Sequence, residues 1–346
     1  MRLRIGVAGL GWPGQQHLKA IEMLPEQAGL AAVCDADAGR MSGYPDGVAK
    51  YTDLSQMLQD PAIDAVILAV PHHLHEELAM EALNRGKHVL IEKPMARNTE
   101  EAERMNAAAR DNGRMLMIAQ NWRYSPWCMA VKKVLESGEL GEVRMVQTEF
   151  VLNFHGNYPQ GSWVYDGRLA GGGALASLAI HNLDLLRYLF GEARTVSGFC
   201  LYTDDWSTNG AENWATATIG FDSGAICSVF TGYTPYNAPD SGTFRIFGDN
   251  GTLYNGNGPQ GQGLWITSSQ RRKGKPGYEQ GPYEALDPAK LLPGVQDHSQ
   301  ANQLAHFADC CRTGRQPATS GEDNIGTIRL LEAIYRSSRT QETVRL

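Results

Sequence analysis

A short apolar strand, Leu3 to Ala8, runs directly into Gly9-Leu10-Gly11-Trp12-Pro13-Gly14, and a helix-like stretch from Gln15 to Met23 follows. Strand, glycine turn and helix in that order leave few folds open to the chain. Glycines spaced G-x-G-x-x-G let a backbone approach a pyrophosphate, and the helix N-terminus behind them favours its negative charge. Pro13 suits the first helical turn, where its missing N–H costs nothing. Gly9, Gly11, Trp12, Pro13 and Gly14 are therefore expected to cradle a dinucleotide, against the plainer alternative of a glycine turn without a ligand.

The next elements extend the pattern. A second strand, Gly29 to Cys34, ends in Asp35, where a carboxylate is placed to accept hydrogen bonds from a ribose 2′-hydroxyl and to repel a 2′-phosphate. NAD is favoured over NADP, with Arg40 keeping NADP open; the alternative for Asp35 is an N-cap for a helix from Ala36. Tyr51 to Leu58 reads as a helix capped by Thr52 or Asp53, and Ile63 to Val70 as a strand buried on both faces. That strand ends at Pro71-His72-His73-Leu74-His75, and a helix follows over Glu76 to Arg85. The three histidines lack the spacing and the Cys or carboxylate partners of a metal site. No metal is expected, and Pro71, His72 and His75 are read as bordering the cofactor. Gly86 stops the helix, and Lys87 to Ile91 is a strand that delivers Glu92-Lys93-Pro94. A helix over Glu100 to Arg110, capped by Asn98 or Thr99, leads to a strand over Met115 to Ala119. Alternating strands and helices predict a doubly wound parallel sheet.

With 346 residues, 42% of them apolar, two domains with their own cores are expected. A net charge of −7, with 31 Lys and Arg spread along the chain, argues against nucleic acid as a partner. The basic run from Arg271 to Lys275 sits among glycine and proline and reads as a solvated loop. Cys34, Cys128, Cys200, Cys227, Cys310 and Cys311 show no C-x-x-C pair, so reduced thiols are expected. No 18-residue apolar run suggests a membrane span. The N-terminus reads as a first strand and not a signal peptide, which makes a cytoplasmic protein the default.

The glycine turn, Asp35, the Pro71 to His75 turn and above all Gly86-Lys87-His88-Val89 leading into Glu92-Lys93-Pro94 resemble the Gfo/Idh/MocA oxidoreductases. The resemblance continues past Asn121-Trp122-Arg123-Tyr124-Ser125-Pro126, through a helix over Trp127 to Glu136 and a strand over Val143 to Asn153. It reaches Gly171-Gly172-Gly173-Ala174-Leu175-Ala176-Ser177-Leu178-Ala179-Ile180-His181-Asn182-Leu183-Asp184, which is similar to the family's GGG-x-L-x-D-x-G-x-H-x-x-D helix. It implies an α/β fold: an N-terminal Rossmann dinucleotide-binding domain over residues 1–121, and a C-terminal α+β domain over 122–346 with a large, mostly antiparallel open sheet. It also implies a homo-dimer or homo-tetramer through that sheet, and allows the C-terminal helix to pack back on the first domain. Read as a helix, Ser177, His181 and Asp184 share one face. Ser177 stands where the family has an aspartate, and Ala179 where it has a glycine.

Strands are expected at Trp214 to Phe221, Ala225 to Tyr233 and Gly242 to Phe247, with turns at Asp222-Ser223-Gly224 and Asp249-Asn250-Gly251. Gly256 to Gly263 and Ser268 to Pro282 read as loops, and helices over Ser299 to Arg312 and Asn324 to Ser337 close the chain. Oxidising a secondary alcohol with NAD needs a base for the hydroxyl proton. A lysine buried beside a nicotinamide suits that task, because burial lowers its pKa. Lys93 resembles the family's catalytic lysine and His181 its histidine partner. Glu92 and Asp184 read as hydrogen-bonding supports, and Glu92 and Lys93 are also expected among the cofactor contacts. Arg123, Tyr158 and Trp163, with Lys93, Ser177 and His181, are the expected substrate contacts, and their mix of rings and polar groups fits a sugar, glycoside or inositol. The altered helix leaves two alternatives: a glycosidase or lyase acting through transient oxidation with retained NAD, and a non-catalytic cofactor-binding sensor.

Overall fold

The computed structural model describes residues 2–203, 206–233, 242–258, 261–271 and 283–346. In chain order, β1 (Leu3–Ala8), α1 (Trp12–Met23), β2 (Ala28–Cys34), β3 (Ala49–Tyr51) and α2 (Leu54–Leu58) come first. They are followed by β4 (Ala65–Leu68), α3 (His75–Asn84), β5 (His88–Ile91), α4 (Thr99–Asp111) and β6 (Leu116–Ile118). Next are α5 (Pro126–Glu136), β7 (Val143–Leu152), α6 (Gly167–Ala170) and a π-helical turn (Leu175–Ala179) that runs into α7 (Ile180–Phe190). Strands β8 (Ala193–Leu201), β9 (Trp214–Phe221), β10 (Ile226–Tyr233), β11 (Phe244–Gly248), β12 (Gly251–Gly258), β13 (Gly261–Ser268) and β14 (Glu284–Leu286) follow. Helices α8 (Pro288–Leu291), α9 (Ser299–Thr313) and α10 (Gly321–Thr340) precede β15 (Val344–Arg345).

The chain forms two compact units. The first takes the residues up to Tyr124 together with Arg168–Gly171 and His298–Arg329, and the second takes Ser125–Gly167, Gly172–Asp297 and Leu330–Leu346. The single boundary expected after residue 121 gives way to a division in which the chain returns to the first unit twice.

The first unit is built on a parallel sheet of order β3-β2-β1-β4-β5-β6. β4 and the core of β5 are sealed: Ala65 to Leu68 and Val89 to Ile91 are all 0% exposed. Their unbroken apolar runs are what a parallel strand covered on both faces requires, and each large side chain contributes about 1.5–3 kcal/mol. Strand order reverses between β1 and β4, the place where open α/β sheets take their ligands at the carboxyl ends of the strands. Leu304 and Phe307 of α9 join the same core as Ile5, Ile67 and Leu90. The free edge of β6 is closed by the segment before α10, where the Ile118 N–H donates to the Thr319 carbonyl and the Thr319 hydroxyl donates to the Ile118 carbonyl, both at 2.8 Å. Two open choices at helix starts are resolved: Asn98 caps α4 and Asp53 caps α2. Ala49–Tyr51, the first part of which lay outside any expected element, is the edge strand β3.

The second unit is a nine-stranded sheet of order β14-β13-β12-β11-β7-β10-β9-β8-β15. Every pairing is antiparallel except β7 with β10. In β9 the alternation is strict, with Ala215, Ala217, Ile219 and Phe221 buried and Thr216 and Thr218 exposed. Of Gly256 to Gly263, read as a loop, Gly256 to Gly258 belong to β12 and Gly261 to Gly263 to β13, and the two residues between them lie outside the described residues. Glycine's poor strand propensity hid a pairing that rests on backbone hydrogen bonds. Most of the loop expected over Ser268 to Pro282, with the basic run after Arg271, lies outside the described residues. Arg271 itself pairs with Glu139 and Glu284. Gly172 to Arg187 is buried without a break, so its apolar composition answers to the protein's own core.

Because β5 is sealed on both faces, Leu90→Ala is expected to destabilise the first unit by about 2–5 kcal/mol. Denaturant unfolding monitored by far-UV circular dichroism measures it, and a loss below about 1 kcal/mol would show that the sheet can collapse around the gap.

Candidate active site

The glycine turn of the first unit carries its own test of ligand fit. Gly9 has φ +86° and an added Cβ would lie 2.1 Å from the Ala69 carbonyl oxygen; a Cβ on Gly14 would lie 2.0 Å from the Gly9 carbonyl oxygen. The protein's packing therefore demands glycine at both. Gly11 is different. Its φ of −66° suits any residue, and the nearest atoms to an added Cβ are the Arg40 guanidinium at 3.8 Å and the Pro13 ring at 3.9 Å. Nothing in the protein requires glycine there, whereas an incoming pyrophosphate at the start of α1 does. That N-terminus has no side-chain cap, Pro13 sits in its first turn, and the Trp12 ring beside it is 72% exposed. The turn fits a dinucleotide.

Asp35 stands at the end of β2, half-buried. One carboxylate oxygen accepts the Leu10 N–H at 2.8 Å and the other accepts the Asp37 N–H at 2.9 Å, so the residue holds the glycine turn. The alternative of an N-cap at Asp35 is corrected, because Asp37 caps the short 3₁₀ turn Ala38–Met41 by accepting the Gly39 N–H. Arg40 is directed to Asp37, 3.7 Å away.

Lys93 follows β5, half-buried, with a cis peptide to Pro94. Burial lowers its pKa below the ordinary lysine value, and the charge of Glu92 opposes the fall. Burial would push Glu92 up, but a hydrogen bond to buried His17 (Nε2 to Oε1, 3.0 Å) and the nearby Lys93 hold its carboxyl below the usual value. The second Glu92 oxygen accepts the Lys93 N–H at 3.2 Å. Glu92, expected both as a hydrogen-bonding support and as a cofactor contact, anchors the lysine's backbone, and His17 is a participant that sequence reasoning missed.

The histidines of the Pro71 turn, expected to border the cofactor, are held on backbone carbonyls. His75 is fully buried, with Nδ1 2.8 Å from the Pro94 carbonyl oxygen and Nε2 3.0 Å from that of Val70. His72 Nδ1 lies 2.8 Å from the Ala170 carbonyl oxygen. Burial lowers both pKa values, most for His72, so both serve as neutral clamps, His75 on the backbone next to Lys93 and His72 on that at Ala170. Half-buried Pro71 follows β4 on its carboxyl side. Among the described residues no cluster of three or more His, Cys, Asp or Glu is placed to hold a metal ion.

Arg123 is also reassigned. It is 4% exposed, donates to Asp323 at 2.7 Å and to the Ala318 carbonyl at 3.0 Å, and so ties the end of the first 124 residues to the segment leading into α10. An arginine so committed is a structural tie and not a substrate contact.

In the second unit, Ser177 lies inside the π turn and His181 in the first turn of α7, 4% and 7% exposed. The single α-helical face expected for Ser177, His181 and Asp184 is therefore broken: a π turn changes the angular step, and every residue from Leu175 to Arg187 is buried. Ser177 meets the hydroxyl of Tyr233 at the end of β10. Tyr233 stacks on Phe154 at 4.5 Å between ring centroids, and Phe154 meets Tyr158 at 4.9 Å. His155 stacks on Trp206 at 4.3 Å. Phe154, Tyr165 and Tyr233 are core, whereas Tyr158, Trp163 and Trp206 are half-buried around them. Tyr233 and Trp206, from distant stretches, carried no local signal in the sequence.

Gly11→Ala is expected to leave the thermal midpoint within about 2 °C while weakening NAD binding about tenfold or more, because its methyl group enters only the space reserved for the pyrophosphate. Titration of intrinsic fluorescence with NAD reads the affinity, and an unchanged Kd would remove the turn from the binding site.

Comparison with known proteins agrees with this architecture. Residues 3–120 match the model of the oxidoreductase family with an NAD-binding Rossmann fold, and residues 128–254 match the GFO/IDH/MocA C-terminal domain. A levoglucosan dehydrogenase of Pseudarthrobacter phenanthrenivorans is 32% identical over 56% of this chain and 53% of its own length, so the match spans about half of that relative. The aldose–aldose oxidoreductase of Caulobacter crescentus, solved with glycerol, aligns with a TM-score of 0.84 at 28% identity over 100% of both chains. An oxidoreductase of Agrobacterium radiobacter, solved with NAD+, L-tartaric acid and magnesium, aligns with a TM-score of 0.82 at 25% identity over 100% of this chain and 98% of its own. The chain belongs to the Gfo/Idh/MocA oxidoreductase family and carries that family's NAD-binding Rossmann fold.

Proposed function

We propose that the protein is an NAD-dependent dehydrogenase that oxidises a secondary alcohol of a sugar, glycoside or inositol, or reduces the corresponding ketone, with Lys93 and His181 as its acid and base groups. The observation that carries the reading is a half-buried lysine of lowered pKa at the carboxyl end of a central strand in an NAD-binding fold. When bound, NAD supplies the hydride acceptor. The chain supplies the rest: Lys93 Nζ takes the hydroxyl proton in oxidation and returns it in reduction, while the Glu92–His17 pair fixes the backbone that presents it. His181, held in the first turn of α7, is the second proton carrier. Tyr158, Trp163 and Trp206 offer ring faces to a sugar, in keeping with the levoglucosan and aldose chemistry named for two relatives. Ser177 against Tyr233, where the family has an aspartate, favours the second reading of transient oxidation with retained NAD; release of an aglycone without net NADH is its mark.

The same reading extends to assembly in the cytoplasm, where all six thiols stay free. The outer face of the large sheet exposes Met145, Phe199, Ile226, Phe230 and Phe247, and a second copy of that face is the partner that would cover them. Phe230→Glu is expected to shift the mass measured by light scattering toward the monomer. A wild-type monomer at micromolar concentration would refute the assembly.

With NAD and a panel of sugars and polyols, wild-type protein is expected to generate NADH, and Lys93→Ala to lower kcat by about 10²-fold or more while NAD affinity stays within a few-fold. Undiminished turnover would remove Lys93 from the mechanism. The rate of oxidation should rise with pH as the ammonium loses its proton, with an inflection below the free-lysine value of about 10.4. Glu92→Gln removes a charge that favours the ammonium, so the inflection moves to lower pH. A profile that moves upward contradicts the assignment.

A further inference from the structure

The entry to the π turn is held by a carboxylate that has no other evident task. Glu212, between β8 and β9, is 0% exposed. Its Oε2 accepts the Gly173 N–H at 2.7 Å, and its Oε1 accepts the Leu175 N–H at 2.6 Å and the Tyr335 hydroxyl of α10 at 3.2 Å. Its backbone carbonyl accepts the intervening Ala174 N–H at 3.0 Å. Three successive N–H groups at the start of a helical segment, which otherwise have no partners, thus all end on one residue. The fit admits no side chain, since a Cβ on Gly173 would lie 1.9 Å from the Glu212 carbonyl oxygen and one on Gly172 the same distance from the Tyr335 hydroxyl. Two residues beyond the last anchored N–H stands Ser177, and one turn later His181.

We propose that Glu212 is a positioning residue: as a carboxylate it clamps the Gly173 and Leu175 N–H groups and so fixes the π turn that sets where Ser177 and His181 are held. This rests on the role given above to His181. A helix carries its residues as a rigid body, so loosening its first turn displaces His181, and small displacements of an acid–base group are costly in rate. An ionised carboxylate accepts both N–H groups; the protonated acid turns one of its oxygens into a donor and loses one of them. Burial pushes Glu212 up to about 7, against the Leu175 and Gly173 N–H groups and the Tyr335 hydroxyl, so the clamp changes state near neutrality. The titratable groups that face it are Tyr335 of α10, Cys200 of β8, Tyr202 just beyond β8 and Tyr233 of β10. Burial pushes each upward, Cys200 to about 11, so among these only Glu212 changes charge between pH 5 and 9.

Two measurements on the full-length protein test this. Hydrogen exchange read at the Gly173, Ala174 and Leu175 amides needs no turnover: in Glu212→Gln at pH 8 their protection is expected to fall about tenfold or more relative to wild type, while amides of β9 and β10 keep theirs. Protection equal to wild type overturns the clamp. The second is the pH dependence of kcat with NAD and an accepted polyol. The wild-type rate is expected to fall as pH drops below about 7, Glu212→Gln to lower kcat about tenfold or more with KM changed less and to lack that limb, and Tyr335→Phe to move the limb to higher pH, because the carboxylate loses a donor. A limb that stays in place in Tyr335→Phe overturns the proposal. Wild-type protein that turns over no polyol sinks the dehydrogenase reading instead, and the exchange result still decides the clamp.

Discussion

A glycine turn has no side chains with which to hold itself, and in both units a carboxylate from elsewhere in the chain does the holding. In the first unit Asp35, arriving on β2, accepts the Leu10 N–H from inside the G-x-G-x-x-G turn. In the second, Glu212 accepts the Gly173 and Leu175 N–H groups. The logic is the same in each case. Glycine permits a close backbone approach but raises the entropy of the alternatives, and a buried, charge-assisted hydrogen bond selects one of them. The two carboxylates differ in what burial does to them. Asp35 is half-buried, whereas Glu212 is sealed and pushed up to about 7.

The lysine after β5 depends on a comparable set of supports. β5 cannot move sideways, because Val89, Leu90 and Ile91 are enclosed by β4, β6 and the core. Beyond the strand the chain is fixed by side chains: His75 holds the Pro94 carbonyl and Glu92 holds the Lys93 N–H. Burial then does chemical work, since the same enclosure that fixes the backbone disfavours the ammonium. Glu92 limits that shift, and His17 keeps Glu92 ionised despite its own enclosure. The electrostatics of the lysine are therefore set by α1 as well as by the strand that carries it.

How much of this could be read from the sequence follows the range of each interaction. The parallel strands, the cofactor turn and the helix starts at Asp53 and Asn98 rest on neighbours in sequence, and their residue patterns express them. The division into units does not, because α9 reaches the first core only through packing of Leu304 and Phe307 against residues nearly three hundred positions earlier. Nor do the partners of the charged groups: His17 meets Glu92 across 75 residues, and Tyr335 meets Glu212 across 123. Arg123 was misread for the same reason, since Asp323 lies 200 residues away. The paired glycine strands β12 and β13 were hidden because backbone pairing leaves little mark on side-chain pattern.

The exchange of an aspartate for Ser177 acquires its meaning from what surrounds it. Ser177 faces the hydroxyl of Tyr233, whose ring is stacked on Phe154 and sealed from water. A carboxylate there would be buried against an aromatic wall, which disfavours the charge. A serine there brings no charge to that wall, and the carboxylate that anchors the π turn is Glu212, whose two oxygens take the Gly173 and Leu175 N–H groups.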